Sequence, residues 1–127
     1  MSTDYWPIMG YGVHVVSEMI DAERAARFLG VEEFDPEFEL GDLLDALCRQ
    51  PEGRWLFWAS TGDFDWEQRY YLYCPAMVPW EGRDGRWSDA TPEGVREAIV
   101  KLLGPLLRPG FGPADLEVGE VFAVGCG

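Results

Sequence analysis

The chain is short of the side chains that most chemistry needs. Its 127 residues include one histidine, His14. That excludes a His-rich metal site, and any Ser-His or Cys-His nucleophilic pair would have to use this ring. Ser17 follows nearby, but nothing resembles a nucleophile elbow, and His14 lies beside Val13, Val15 and Val16 in a strand pattern. It reads as a hydrogen-bonded structural residue. The three cysteines, Cys48, Cys74 and Cys126, contain no Cys-x-x-Cys pair, so neither a zinc knuckle nor a dithiol redox motif is signalled. Cys48 and Cys74 read as reduced thiols buried as small hydrophobes, and Cys126, set between glycines, as a more exposed one.

Long apolar runs are also missing. No stretch approaches the ~20 residues of a membrane helix. Met1-Ser2-Thr3-Asp4 places no basic region ahead of an apolar stretch, Ser2 stands where myristoylation needs Gly, and Cys126-Gly127 is not a prenylation box. The expected location is the cytoplasm, with no membrane partner. Gly10-Tyr11-Gly12 lacks the third glycine of a dinucleotide loop, and there is no Gly-Lys-Ser/Thr. No cofactor is expected. Lysine occurs once, at Lys101, and the other nine bases are arginine; a GC-rich coding sequence would produce that bias.

What the chain has is acid. There are 23 Asp and Glu against 10 Lys and Arg, a net charge of −13. Residues 1–67 hold 15 acids and four Arg, whereas residues 68–127 hold eight acids and six bases. Residues 32–45 contain seven acids (Glu32, Glu33, Asp35, Glu37, Glu39, Asp42 and Asp45) and no base. Such a field repels nucleic acid and anionic membranes, and it speeds encounter with basic surfaces. Asp63, Asp65 and Glu67 alternate like the opening of a calcium loop. Gln68 then stands where the loop needs Gly, and Cys74 where it needs a bidentate Glu. These three carboxylates read as a solvated hairpin tip that extends the acidic face, and no metal is expected. Paired carboxylates suit glycoside hydrolysis, but with 23 acids some pair meets any spacing, so the pattern has no specificity.

Aromatics make up 14% of the chain, which argues for a packed core. RWLFWAS at 54–60 and RYYLY at 69–73 mix Arg with aromatics, as single-strand binding platforms do. The glycines of an RNA-recognition strand are absent and the net charge opposes direct nucleic-acid binding, so these read as cross-strand packing. Trp80 and Trp87, with Arg83 and Arg86 about the Asp84-Gly85 turn, form either a contact knob or a flap folded over the core.

The elements follow from local signals. Residues 5–16 read as a strand in which Gly10 and Gly12 mark a bulge or a close backbone approach. Asp21 caps a short helix to about Leu29, with Ile20, Ala25, Phe28 and Leu29 inward and Gly30 as its stop. Pro36 argues against a helix through the acidic segment. After Gly41, Leu43, Leu44, Leu47 and Cys48 form a helical stripe ended by Pro51 and Gly53. Residues 54–60 and 68–78 pair as a hairpin, with Pro75 at an edge or a break. Thr91 and Pro92 open a helix over 92–107 whose apolar face is Val95, Ala98, Ile99, Leu102, Leu103 and Leu106. Residues 117–124 form a last strand. The order β-α-α-β-β-α-β makes one α+β domain: an antiparallel or mixed sheet of about four strands with two or three helices packed on it.

The opening YWPIMGYG, residues 5–12, resembles the start of small uncharacterised proteins carried by phages and mobile elements of gut-type bacteria. The resemblance implies a host-interaction role. The leading expectation is a non-enzymatic protein whose acidic face docks on a basic, nucleic-acid-binding protein partner. The alternative is a structural or assembly component, a homo-oligomer joined through the 80–87 loop. An enzyme built from scattered carboxylates ranks third.

Overall fold

The computed structural model describes residues 5–61, 68–75 and 90–126, with side chains of 7–61, 68–75 and 90–125. β1 spans Tyr5–Val15. Val13 and Val15 alternate onto one face and are buried, while His14 between them is exposed on the other. Gly12 lies so close to β3 that a Cβ there would overlap the Leu72 carbonyl oxygen and the Tyr73 Cα. The expected close backbone approach is therefore at Gly12.

α1 spans Ala22–Leu29. The Asp21 carboxylate caps it by accepting from the Arg24 N–H at 2.9 Å, and Gly30 ends it in the left-handed region at φ 73°. Ile20 and Ala25 are buried and Leu29 packs half-buried against the core as expected, Ala26 is buried with them, and Phe28 is exposed, which corrects its place on the inner face. At about 100° per residue, Phe28 stands about 200° round the helix from the buried Ala26.

α2 spans Pro36–Cys48, so the acidic segment is helical and Pro36 does not exclude a helix there. Proline at the first helical position loses no hydrogen bond, and its φ is already helical. Asp35 is the cap, accepting from the Glu37 N–H at 3.0 Å. Gly41 is not a boundary but sits mid-helix, where a Cβ would lie 3.1 Å from the Trp58 ring. Leu40, Leu43, Leu44 and Leu47 are buried beneath it.

β2 (Phe57–Ser60) and β3 (Tyr70–Pro75) form the expected antiparallel hairpin. β3 lies inside the sheet and Pro75 is its last residue, where a missing N–H does least harm. α3 spans Pro92–Leu103, with Thr91 accepting from the Gly94 N–H at 3.0 Å. It tightens into a 3-10 turn at Gly104–Leu106 because Pro105 cannot continue the ladder. Val95, Ile99, Leu102 and Leu103 face inward, and Leu106 is buried in that turn. β4 spans Gly119–Cys126.

The four strands form one antiparallel sheet in the order β2-β3-β1-β4. α2 packs on β2 and β3, α3 packs on β1 and β3, and α1 leans on α2. The main core joins the apolar faces of α2 and α3 to Val13, Val15, Leu72 and Cys74. A second cluster of Ile8, Tyr71, Tyr73 and Val121 lies on the other face of the sheet. The turn before α1 is sewn to the chain after α3. Ile20 bridges Leu107, the Asp21 N–H donates to the Leu106 carbonyl at 2.8 Å, and the Arg24 guanidinium donates to the Leu107 carbonyl at 2.7 Å. Among the described residues no helix is long and apolar enough to cross a membrane.

Candidate functional site

Capping sets the geometry of the acidic surface. The chain between α1 and α2 returns so that the first turns of both helices border one shallow depression of about 470 Å³. Ala22, Ala26 and Phe34 give it an apolar floor, and Glu23, Glu32, Glu33, Asp35 and Glu39 line it with carboxylates. Among the described residues no basic side chain lines it. Two of these acids have local work. Asp35 caps α2, and Glu39 reaches back to accept from the Asp35 N–H at 3.1 Å. Both stand at a helix N-terminus, where the macrodipole favours negative charge. Glu32 and Glu33 are exposed, precede the helix, and make no ion pair among the described residues.

The seven acids of residues 32–45 do not form a single face. A helix turns about 100° per residue, so acids close in sequence diverge in space. Glu37 lines a second depression of about 430 Å³ with Glu18, Asp21, Glu23 and Arg108. Asp42 is exposed farther along α2. Asp45 turns toward the sheet, accepting from the Trp58 indole N–H at 3.3 Å and pairing with Arg49 at 3.0 Å. The structure thus gathers Glu32, Glu33, Asp35 and Glu39 and leaves Glu37, Asp42 and Asp45 apart. It adds Glu23, which the sequence reading missed. Glu23 lies outside the base-free run, and its only signal is its place in the first turn of α1.

Phe38 is 80% exposed. It lies between Glu37 and Glu39 and opposite the buried stripe of Leu40, Leu43, Leu44 and Leu47. A large apolar side chain held in water beside carboxylates resembles the apolar centre and charged rim of a docking surface.

Comparison with protein-family models, with characterised proteins and with solved structures found no match. The site is therefore read from its own chemistry. Among the described residues no three His, Cys, Asp or Glu side chains converge to hold a metal ion. His14 packs against Tyr71 with ring centroids 5.3 Å apart. Partial burial, helped by the Arg69 guanidinium, lowers its pKa from the ordinary value. It stands on the outer face of the sheet, and its neighbours across β1 and β3 are packing aromatics. Cys74 is buried and Cys48 half-buried, neither in a disulfide. The side chain of Cys126 lies outside the described residues, as do Asp63, Asp65 and Glu67 and all of Trp80, Arg83, Arg86 and Trp87.

Some of the arginines have uses that lysine would serve less well. The Arg24 guanidinium donates to the Leu107 carbonyl, Arg108 reaches the Glu18 carbonyl at 3.3 Å, and the Arg54 guanidinium lies 4.6 Å from the Trp55 ring centroid. A planar, weakly hydrated fork suits both carbonyl binding and stacking.

Proposed function

We propose that this chain is a non-enzymatic binding protein that docks on the basic surface of a partner protein, one of the kind that binds nucleic acid. The observation that supports this is the depression between α1 and α2, where five carboxylates meet around an apolar floor with no cation among the described residues that line it. Carboxylates held at fixed spacing can stand in for phosphates. The charge of −13 brings a basic partner in quickly, and like-charged surfaces are turned away. Glu32 and Glu33 supply the attraction at close range. Glu23, Asp35 and Glu39 hold the field, and Phe38, exposed on the same helix as Glu39, supplies apolar anchorage.

The test is capture of a partner from the source cell at low salt, followed by a binding series on the purified pair. Glu32→Gln with Glu33→Gln is expected to slow association, because the charges act during approach. Phe38→Ala is expected to speed dissociation, because a buried aromatic anchor acts after contact. A partner with an acidic or neutral contact face, or one whose binding ignores all three substitutions, would overturn the reading.

A further inference from the structure

The sheet has an edge of a different character from the acidic surface. Among the described residues β4 pairs with β1 alone, and none of them ladders its other side. Edges are ordinarily blunted by shortness, lysine, proline or a bulge. β4 is eight residues long, holds neither Lys nor Pro, and carries one charge, Glu120, at its second position. Phe122 is 75% exposed and Val124 52%. Across β1 they meet Met9 and Pro7, which are exposed too. The four side chains make an apolar strip that runs to this edge of the described sheet.

We propose that β4 is the contact between two copies of this chain, paired antiparallel about a two-fold axis through Ala123. A two-fold axis normal to the sheet keeps the helices of both copies on one face, so each residue must oppose one of equal parity. Centring on Ala123 places Phe122 opposite the partner's Val124, and Val121 opposite the partner's Gly125. It uses the strand from 120 to 126. Centring on Phe122 would set Glu120 against an apolar side chain, the partner's Val124.

Charge selects the occupant. Two chains of −13 repel, yet β4 itself carries only Glu120, and Asp45 of α2 is bonded to Trp58 of β2, at the edge opposite β4. In a joined eight-stranded sheet the two β2 edges would stand seven spacings apart, about 34 Å. That is several times the Debye length of about 8 Å at physiological salt. A basic extended peptide would find only Glu120 on this strand, whereas a second copy matches its near-neutral apolar row. This contact is independent of the acidic docking surface.

The experiment is the mass of the intact chain by light scattering and sedimentation, from low concentration to about 1 mM, the weak end of measurable association. The expected mass rises toward twice 14.4 kDa. The dimer should tighten with added salt, the opposite of acidic docking. Phe122→Lys and Val124→Lys are each expected to keep the monomer mass with an unchanged circular dichroism spectrum. Should either fail to fold, Ala123→Cys in a Cys126→Ser background provides the second readout, because mild oxidation should join position 123 to itself. Val121→Cys, opposite glycine, should not crosslink. A wild-type mass fixed at 14.4 kDa throughout would overturn the proposal, even if an added basic peptide bound the edge. So would a dimer that survives both lysine substitutions, or crosslinking at 121 in place of 123.

Discussion

The indole N–H of Trp58 donates to the Asp45 carboxylate across 3.3 Å and so ties the acidic helix α2 to the edge strand β2. The same carboxylate pairs with Arg49 one turn on. One member of the acidic run is therefore a structural bond, while Asp35 and Glu39 are set by the cap of α2.

Asp45→Ala should reduce stability by about 1 kcal/mol, the usual net value of a part-buried hydrogen bond. Its exposed ion pair with Arg49 should add little. The check is the urea midpoint of Asp45→Ala against Arg49→Ala. Equal losses in the two variants would show that the Trp58 bond contributes nothing.

Gly41 gives a sharper test of the same contact. Gly→Ala inside a helix ordinarily adds about 0.5–1 kcal/mol. Here the new Cβ would lie 3.1 and 3.3 Å from two Trp58 ring carbons and 3.6 Å from Tyr70. The expected gain is therefore absent in the wild-type background. It should return, at about 0.5–1 kcal/mol, when Trp58 is first replaced by Leu. A full gain in both backgrounds would mean that α2 stands farther from the ring.

The sign of the His14 effect follows from its surroundings. Burial and the Arg69 charge both favour the neutral ring, so the folded pKa lies below the ordinary value of 6.5. The unfolded chain then binds more protons as the solution is acidified. The contribution of His14 to stability is full above about pH 6.5 and is lost as pH falls through its folded value. The difference in unfolding free energy between wild type and His14→Gln should shrink over that range. A difference that grows toward acid would show a raised pKa, and a cationic ring stabilised by the fold.

Much of the fold was legible because its signals are local. Thr91, Pro92 and the Val95, Ile99, Leu102 and Leu103 stripe define α3 without reference to the rest of the chain. Asp21 and Gly30 likewise bracket α1. The misreadings have local causes of another kind. Pro36 and Gly41 are breakers in a helix interior by propensity, but one sits at the first helical position and the other faces an indole ring. Neither the cap geometry nor the Trp58 contact can be seen in composition. The order β2-β3-β1-β4 depends on pairing β1 with strands far along the chain, which hydrophobic alternation does not encode. The acidic surface was half visible for the same reason. The run of residues 32–45 is a fact of sequence, while the helix turn sends Asp45 toward the sheet and the fold brings in Glu23.

The central claim is electrostatic docking through the acidic depression, and the salt dependence of binding tests it most directly. With the captured partner, raising salt from 50 to 500 mM, where the Debye length falls from about 14 to 4 Å, should weaken the complex at least about tenfold. Glu32→Gln with Glu33→Gln should flatten that dependence. An affinity that stays the same across the range, in wild type and variant alike, would contradict the docking mechanism.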